Sequence, residues 1–226
     1  RSPKPEPESK ASRRAAVPPA RKKLLVCAPW AAIDGLGREL PGFAECGPPR
    51  PDRYVGIFYF LWLGGHPQKG PYDITEIMKQ PEGRRQWGPK NIFHWWEEPR
   101  FGYYLMDDAW VIAQHARMLA DAGVDVVVFD ATNAHTYKKH YLVLCEVFRE
   151  IRSLGGETPQ ISFLLNSNHV KATQEVFEDL YKPGRYAELW FRWKGKPLLM
   201  TNPEGLPQEI LDFFCIRRSW AWSNPN

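Results

Sequence analysis

The sequence predicts an α/β fold built from repeated strand-and-helix units, and three observations support this. Residues 124–130 (VDVVVFD) form an almost continuous apolar run, as expected of a parallel strand that is buried on both faces. This run follows an amphipathic helical stretch that Gly123 closes. The run ends on Asp130 and a polar loop, and parallel βα arrays carry their chemistry at such strand ends.

Four strand regions recur along the chain. Residues 54–62 (YVGIFYFLW) are rich in β-branched and aromatic side chains and predict a buried strand before residues 124–130. Residues 160–166 (QISFLLN) predict the next strand. Residues 189–193 and 197–201, separated by a Lys-Gly-Lys turn, predict a further strand or a strand pair.

Four helices alternate with these strands. The first is expected from an N-cap at Asp107 or Asp108 to Ala122, and the second from an N-cap at Thr136 to the Gly155-Gly156 stop. The third passes through Val176 and stops at residues 182–184, and the fourth covers residues 207–217.

These four units amount to half of a (β/α)8 barrel, whose usual size is about 250 residues. An open sheet of four or five strands is the alternative. The sequence Trp220-Ala221-Trp222 resembles the beginning of another strand, which favours a (β/α)8-type fold truncated after about four βα units. We expect such a piece alone to be inactive and poorly soluble, because an open half-barrel exposes strand edges.

Charge is concentrated at the amino terminus. Residues 1–23 hold eight Lys/Arg, two Glu and five prolines, so this tail has a net charge of +6. The whole chain has a net charge of +4, so the remaining residues are close to neutral, with a net charge of −2. The tail is predicted to be disordered, and residues 24–226 to form the partial barrel. A nearly neutral folded part argues against a nucleic-acid partner, and no apolar run is long enough to span a membrane.

The segment from residue 66 to residue 106 is unusually aromatic for a loop. The chain has 10 Trp, 9 Tyr and 12 Phe, and many of them fall here, interleaved with acids and histidine. Aromatic rings stack on the apolar faces of sugars, so His94, Trp95 and Tyr103 are predicted to contact a glycan. The alternative is that this segment plugs the amino-terminal rim of the barrel.

Two acids follow predicted strands, and hydrolysis of a glycosidic bond needs two carboxyl groups. Asp130 and Glu204 are therefore the candidate catalytic residues. Asp130 could instead cap the next helix or hold its loop, and Pro203-Glu204-Gly205 also reads as an ordinary turn. The predicted substrate-binding residues at other strand ends are Tyr59, Trp62, Asn133 and Asn166.

Cofactor motifs are lacking. The sequence has no Gly-rich phosphate loop, no GxSxG elbow and no CxxC pair, and its four cysteines are expected to be free and buried. A metal-dependent barrel hydrolase is an alternative, although HxH and HExxH spacings are absent. Its metal ligands would come from Asp130 and from His66, His94, His135, His140 and His169. The sequence predicts neither a metal nor a cofactor.

Several segments together resemble the start of the glycoside hydrolase family 71/99-like barrels. In order, they are residues 58–62 (FYFLW), 93–96 (FHWW), 102–104 (GYY), 108–115 (DAWVIAQH) and 122–125 (AGVD). The resemblance implies a (β/α)8 glycosidase acting on α-linked glycans, either α-1,3-glucan as in family 71 or α-mannosides as in family 99. Nothing here matches the late Trp-Asn-Glu-Trp-x-Glu segment of family 99, so the resemblance implies that the main acids lie beyond Asn226.

The leading hypothesis is therefore a glycoside hydrolase whose substrate is an oligosaccharide or polysaccharide. A non-catalytic carbohydrate-binding barrel protein is the alternative from another functional class. The expected location is extracellular or periplasmic, although no signal peptide is visible within the 226 residues. The sequence does not predict the oligomeric state.

Overall fold

The structure is a computed structural model that describes residues 32–48, 50–63 and 70–218. The described residues fall into two units, one up to residue 48 and one from residue 50 onward. In the first, Ile33 and Glu39 form an antiparallel bridge around a turn held by Asp34, and a short helix α1 follows at Phe43–Cys46. The predicted tail, residues 1–23, lies outside the described residues.

The second unit alternates strands with helices. The strands of this unit are β1 Gly56–Tyr59, β2 Tyr72–Asp73, β3 His94–Trp95, β4 Val126–Ala131, β5 Gln160–Leu165, β6 Arg192–Trp193, β7 Lys196–Met200 and β8 Cys215–Arg217. The helices are α2 Ile74–Met78, α3 Ala109–Asp121, α4 Lys138–Ser153, α5 His169–Val176 and α6 Gln208–Phe213, with a π-helical turn at Phe177–Tyr181 and 3-10 turns at Glu82–Arg84 and Ala187–Leu189.

The main sheet is parallel and follows the order of the chain. Strands β1, β4, β5, β7 and β8 lie side by side in that sequence, and every one of these pairings is parallel. Strand β6 alone runs antiparallel, as a hairpin with β7. A doubly wound sheet reverses its strand order at a switch point, whereas a barrel adds each new strand to the same side. The strand order is that of a barrel.

The described helices α3–α6 cover one face of this sheet. Side chains alternate between the faces of a strand, and Phe129 and Phe163 point to the helix-covered face, which forms the main core with the four helices. Val128 and Leu164 point the other way, into a second cluster that contains no helical residue. Helices on a single face, together with sequential parallel strands, confirm the predicted α/β fold as a partial (β/α)8 type.

Local sequence explains where α3 begins and ends. The Asp108 carboxylate accepts a hydrogen bond from the main-chain N–H of Val111 at 3.1 Å, which caps a helix end whose N–H groups lack partners. Gly123, at φ +75°, ends the helix in a left-handed conformation that glycine adopts without steric cost. Asp108 is thus the N-cap among the two candidates, and the predicted span is confirmed.

Two predicted boundaries were wrong. Thr136 does not cap α4; the helix begins at Lys138, and the preceding Tyr137 takes a left-handed conformation with φ 54°. The fourth helix ends at Phe213 rather than at Arg217, because residues 215–217 pair with β7 as β8. That pairing sets Ile216 beside Leu199 in the buried part of the sheet, which outweighs local helix propensity. The predicted strand at Trp220-Ala221-Trp222 lies outside the described residues.

No helix in the described ranges is long and apolar enough to cross a membrane. Cys46, Cys145 and Cys215 are free thiols. Only Cys145 is fully buried and Cys46 is exposed, so the expectation that these cysteines are buried was wrong for Cys46. Cys27 lies outside the described residues.

Candidate functional site

Asp130 lies near the carboxyl end of β4 on the face that the helices leave free. Its neighbours Phe129 and Ala131 point into the helix-covered core, so alternation turns Asp130 to the opposite face. The parallel register sets Asp130 beside Leu164, Leu164 beside Met200, and Met200 beside Arg217. These four residues therefore form one row across four strands, with Asp130 at one end and Arg217 at the other, about 14 Å away across the sheet.

The carboxylate of Asp130 is buried, and only one of its two oxygens has a hydrogen-bond partner among the described residues. The residue is 9% exposed, and its Oδ1 accepts a hydrogen bond from the main-chain N–H of Thr132 at 3.0 Å. This bond fixes the carboxylate and shapes the loop after β4. Among the described residues, Oδ2 has no hydrogen-bond partner, so one oxygen remains available to a ligand.

Aromatic side chains stand next to this acid on the same face. Extension of the β1–β4 register sets Phe60 beside Asp130. Phe60 is 51% exposed and contacts Trp62 edge to face, with ring centroids 5.0 Å apart. Edge-to-face pairs of this kind give a fixed apolar surface on which a flat ligand face can pack. Phe60 was not predicted as a site residue; the alternation of strand 54–62 around Tyr59 was the available signal.

The loops after β4 and β5 place two predicted amides near Asp130. Asn133 is exposed, donates to the Tyr137 hydroxyl at 2.7 Å and accepts from the main-chain N–H of His135. Asn166 follows Leu165 and is exposed, and its loop is joined to the loop after β4 by a bond from the Ser167 N–H to the Thr132 carbonyl. Both amides therefore lie at the carboxyl end of the sheet with Asp130.

Glu204 lies in the exposed turn after β7. Its main-chain N–H donates to Asn202 Oδ1 at 3.2 Å, and its carbonyl accepts from His169 Nε2 at 2.8 Å. The turn is therefore held by the backbone, which leaves the carboxylate in solvent. Strand β5 separates β7 from β4, so the two strand ends that carry Glu204 and Asp130 are about 10 Å apart.

Tyr59 lies on the opposite face from Asp130. It is 8% exposed, and its hydroxyl is hydrogen-bonded to His115 Nδ1 of α3 at 2.9 Å. Burial raises the pKa of Tyr59 and lowers the pKa of His115, so at neutral pH this hydrogen bond joins two uncharged groups. A contact between Tyr59 and substrate stays a prediction; the bond to His115 accounts for its position.

The other three predicted binding residues belong to the segment of residues 70–106, which follows the carboxyl end of β1. His94 and Trp95 form β3, which pairs in parallel with β2. His94 Nε2 donates to the Trp87 carbonyl at 2.8 Å. The ring of Trp95 lies between those of Tyr103 and Tyr104, at 5.5 and 5.6 Å. Among the described residues, no hydrogen bond or ring contact joins these three predicted residues to Asp130.

A buried acid that was not predicted organises this segment. Asp73 accepts hydrogen bonds from the N–H groups of Thr75 and Glu76 and from the Tyr103 hydroxyl at 2.7 Å. The bond from Tyr103 holds the pKa of Asp73 below its usual range, and the same bond raises the pKa of Tyr103 to about 12. The spacing of Asp73 and Glu76 matches a capping box and could have revealed this role.

The described residues hold no group of three or more His, Cys, Asp or Glu side chains that could bind a metal ion. Three of the histidines considered as ligands use a ring nitrogen on backbone carbonyls: His94 on Trp87, His140 on Leu61 and His169 on Glu204. His66 lies outside the described ranges.

No family model matches the sequence, and no curated protein matches it. Among solved structures, the chain is similar to the GH99 endo-alpha-mannosidase from Bacteriodes thetaiotaomicron, whose structure is in complex with BIS-TRIS-Propane. The identity is 18%, and the TM-score is 0.41. The match covers 68% of this chain and 42% of that one, so the chain spans less than half of that protein's length. Family 99 is one of the two families that the sequence segments resemble.

Proposed function

We propose that this chain contributes the Asp130 side of a glycoside hydrolase site for an α-linked glycan, an α-glucan or an α-mannoside. The observation that carries the proposal is the position of Asp130. It is a buried carboxylate with one oxygen fixed and the other unpartnered among the described residues, beside an exposed Phe60–Trp62 surface. A sugar ring packs on such a surface while a carboxylate takes a hydroxyl or a proton.

The chemistry assigned to Asp130 is acid/base catalysis. Glycoside hydrolysis breaks the bond from the anomeric carbon to the leaving oxygen, which takes a proton from one carboxylic acid. The oxygen of water bonds to the anomeric carbon, and a carboxylate takes the proton of that water. Glu204 is the candidate partner because its turn follows the second strand from β4 and its flexible side chain is free in solvent. Such a hydrolase would act outside the cytoplasm, in an extracellular or periplasmic compartment.

The proposal is tested with the Asp130→Asn variant of the full-length protein, because residues 1–226 alone are expected to be inactive. Asparagine keeps the oxygen that accepts from Thr132, so the loop is retained while the proton-transfer group is lost. We expect turnover of α-mannan or α-1,3-glucan oligosaccharides, measured as new reducing ends, to fall by about 10²–10⁴-fold. Binding of the same oligosaccharides, measured by calorimetry, should change little.

Asp125→Asn is the matched control. Asp125 precedes the amino end of the same strand, and its carboxylate accepts from the main-chain N–H of Val55 at 2.8 Å. We expect its activity to equal that of the unsubstituted protein. Equal activity in Asp130→Asn would reduce Asp130 to a loop-holding residue. Binding without any turnover by the unsubstituted full-length protein would favour the non-catalytic carbohydrate-binding alternative.

A further inference from the structure

The segment of residues 70–106 contains a cleft that the strand-end site does not use. Its volume is about 370 Å³, within the range of about 300–1,000 Å³ typical of small-molecule sites. The cleft is lined by Pro71, Tyr72, Asp73, Glu76, Ile77, Gln80, Arg84, Gln86 and Tyr103. Because the segment follows β1, the cleft belongs to a loop that leaves the carboxyl end of the sheet, the same end as Asp130.

Two tyrosine rings form walls that are held in place without a ligand. Tyr103 is fixed by its hydrogen bond to Asp73 at 2.7 Å and by the Trp95 ring. The backbone of Gly88 lies directly against the Tyr72 ring: a Cβ at Gly88 would lie 2.4 Å from it, and the φ of +76° also favours glycine. Because these walls are already fixed, the protein loses little conformational entropy when a ligand binds.

The lining of the cleft combines apolar and polar side chains. Ile77, which is 8% exposed, is one of the apolar side chains. The side chains of Gln80, Arg84 and Gln86 are exposed and make no hydrogen bond or ion pair among the described residues. Each glutamine amide offers both donors and an acceptor, and the guanidinium offers five donors, which together match neighbouring hydroxyl groups.

The charges of the lining favour an uncharged ligand. Asp73 already accepts three hydrogen bonds, and Glu76 is paired with Lys79 at 2.5 Å. Arg84 balances Asp73, and Lys79 balances Glu76, so the charges at the cleft sum to zero and do not favour a charged ligand such as a carboxylate or a phosphate.

We infer that this cleft binds one uncharged hexopyranose unit of a glycan, with an apolar ring face against Tyr72 or Tyr103 and its hydroxyls toward Gln80, Arg84 and Gln86. The inference rests on the proposed function in that it gives the same glycan a second contact, away from Asp130. The cleft thereby holds a part of the chain that is not cleaved, and its loss weakens binding rather than the chemical step.

The experiment measures binding of methyl α-mannopyranoside and methyl α-glucopyranoside by saturation-transfer NMR and titration. The variant is the double substitution Gln80→Ala with Arg84→Ala, on two exposed side chains whose loss leaves the core unchanged. We expect at least one glycoside to bind, and to bind about tenfold more weakly to the variant, as for the loss of one or two hydrogen bonds. Lys90→Ala is the control, because Lys90 is an exposed cation outside the cleft and should leave binding unchanged.

The result separates the two proposals. Binding that survives Asp130→Asn but falls in the double variant supports the cleft whether or not turnover is found. Equal binding by the double variant and the unsubstituted protein would overturn the cleft assignment and leave Asp130 untouched. Binding of adenosine in place of either glycoside would also overturn it, since two tyrosines can stack on a nucleobase.

Discussion

The two faces of the parallel sheet use the same strands for different purposes. On the helix-covered face, Phe129 and Phe163 are fully buried, whereas Phe58 and Phe60 on the other face are 54% and 51% exposed. Burial of large aromatic side chains is the main source of folding free energy. The helix-covered face therefore stabilises the fold, and the free face can carry residues chosen for contact with a ligand.

The free face also differs between its two ends. At the amino end, Tyr54, Phe191 and Trp193 form an aromatic cluster, with ring centroids 5.1 Å apart for Tyr54–Phe191 and 5.6 Å for Tyr54–Trp193. Val126 and Val128 are buried at this end. The carboxyl end has Asp130 and exposed aromatic rings instead. A ligand therefore has access to the free face at the carboxyl end of the strands.

The largest effect is expected from a substitution on the helix-covered face. Phe163 is 0% exposed and packs edge to face against Phe129 and Tyr141, at 5.0 and 5.3 Å. Phe163→Ala should lower the free energy of unfolding by about 3–5 kcal/mol, through lost burial and the cavity it leaves. Urea unfolding followed by circular dichroism measures this change.

Phe60→Ala on the free face is the matched control. The same deletion at a half-exposed position should cost less than about 1 kcal/mol, since little area leaves water there. Equal losses for the two variants would contradict the division of roles between the faces. A small loss in Phe60→Ala with weakened oligosaccharide binding would sharpen it.

A smaller change in the free energy of unfolding is expected when the pH is lowered, and it also arises from residues on the helix-covered face. Burial lowers the pKa of His115, which is hydrogen-bonded to the Tyr59 hydroxyl and contacts the Tyr104 ring at 5.5 Å. Below about pH 6.5 the unfolded chain therefore takes up a proton that the folded chain resists. The contribution of His115 to the free energy of unfolding is complete above that pH and is lost as the pH falls through the lowered pKa.

His115→Gln removes this titration and keeps a hydrogen-bonding partner for the Tyr59 hydroxyl, since a glutamine amide both donates and accepts. The loss of stability between about pH 7.5 and about pH 5.5 should be smaller in the variant than in the unsubstituted protein. Urea unfolding at the two pH values gives the comparison. An identical pH dependence in both proteins would show that another group is responsible.

The strands of the sheet could be predicted because a short run of apolar residues is enough to indicate a buried strand. The predicted run 124–130 and the observed β4 differ by one or two residues at each end, and 160–166 agrees with β5 to within one residue. Both strands are apolar on two faces, a pattern that needs no knowledge of distant contacts. The position of Asp130 at the carboxyl end followed from the same pattern.

Other features depend on contacts between distant residues and could not be predicted. Arg217 lies in the same row as Asp130 because residues 215–217 pair with β7. The local sequence predicted instead that the helix continues to residue 217. Tyr59 turns to the helix-covered face because α3 supplies His115, 56 residues later. The cleft depends on Gly88 fitting against Tyr72 and on Tyr103 reaching Asp73, contacts that residue spacing does not encode.

Hydrogen–deuterium exchange with an α-linked oligosaccharide tests the central claim most directly, that the ligand binds at the carboxyl end of the sheet. The loops after β4, β5 and β7, residues 132–137, 166–168 and 201–206, should exchange more slowly when an α-mannan or α-1,3-glucan oligosaccharide is added. The loops at the amino end, residues 122–125 and 154–159, should be unchanged. Slower exchange at the amino end alone, or no change in any of these loops at saturating oligosaccharide, would contradict the assignment of the site.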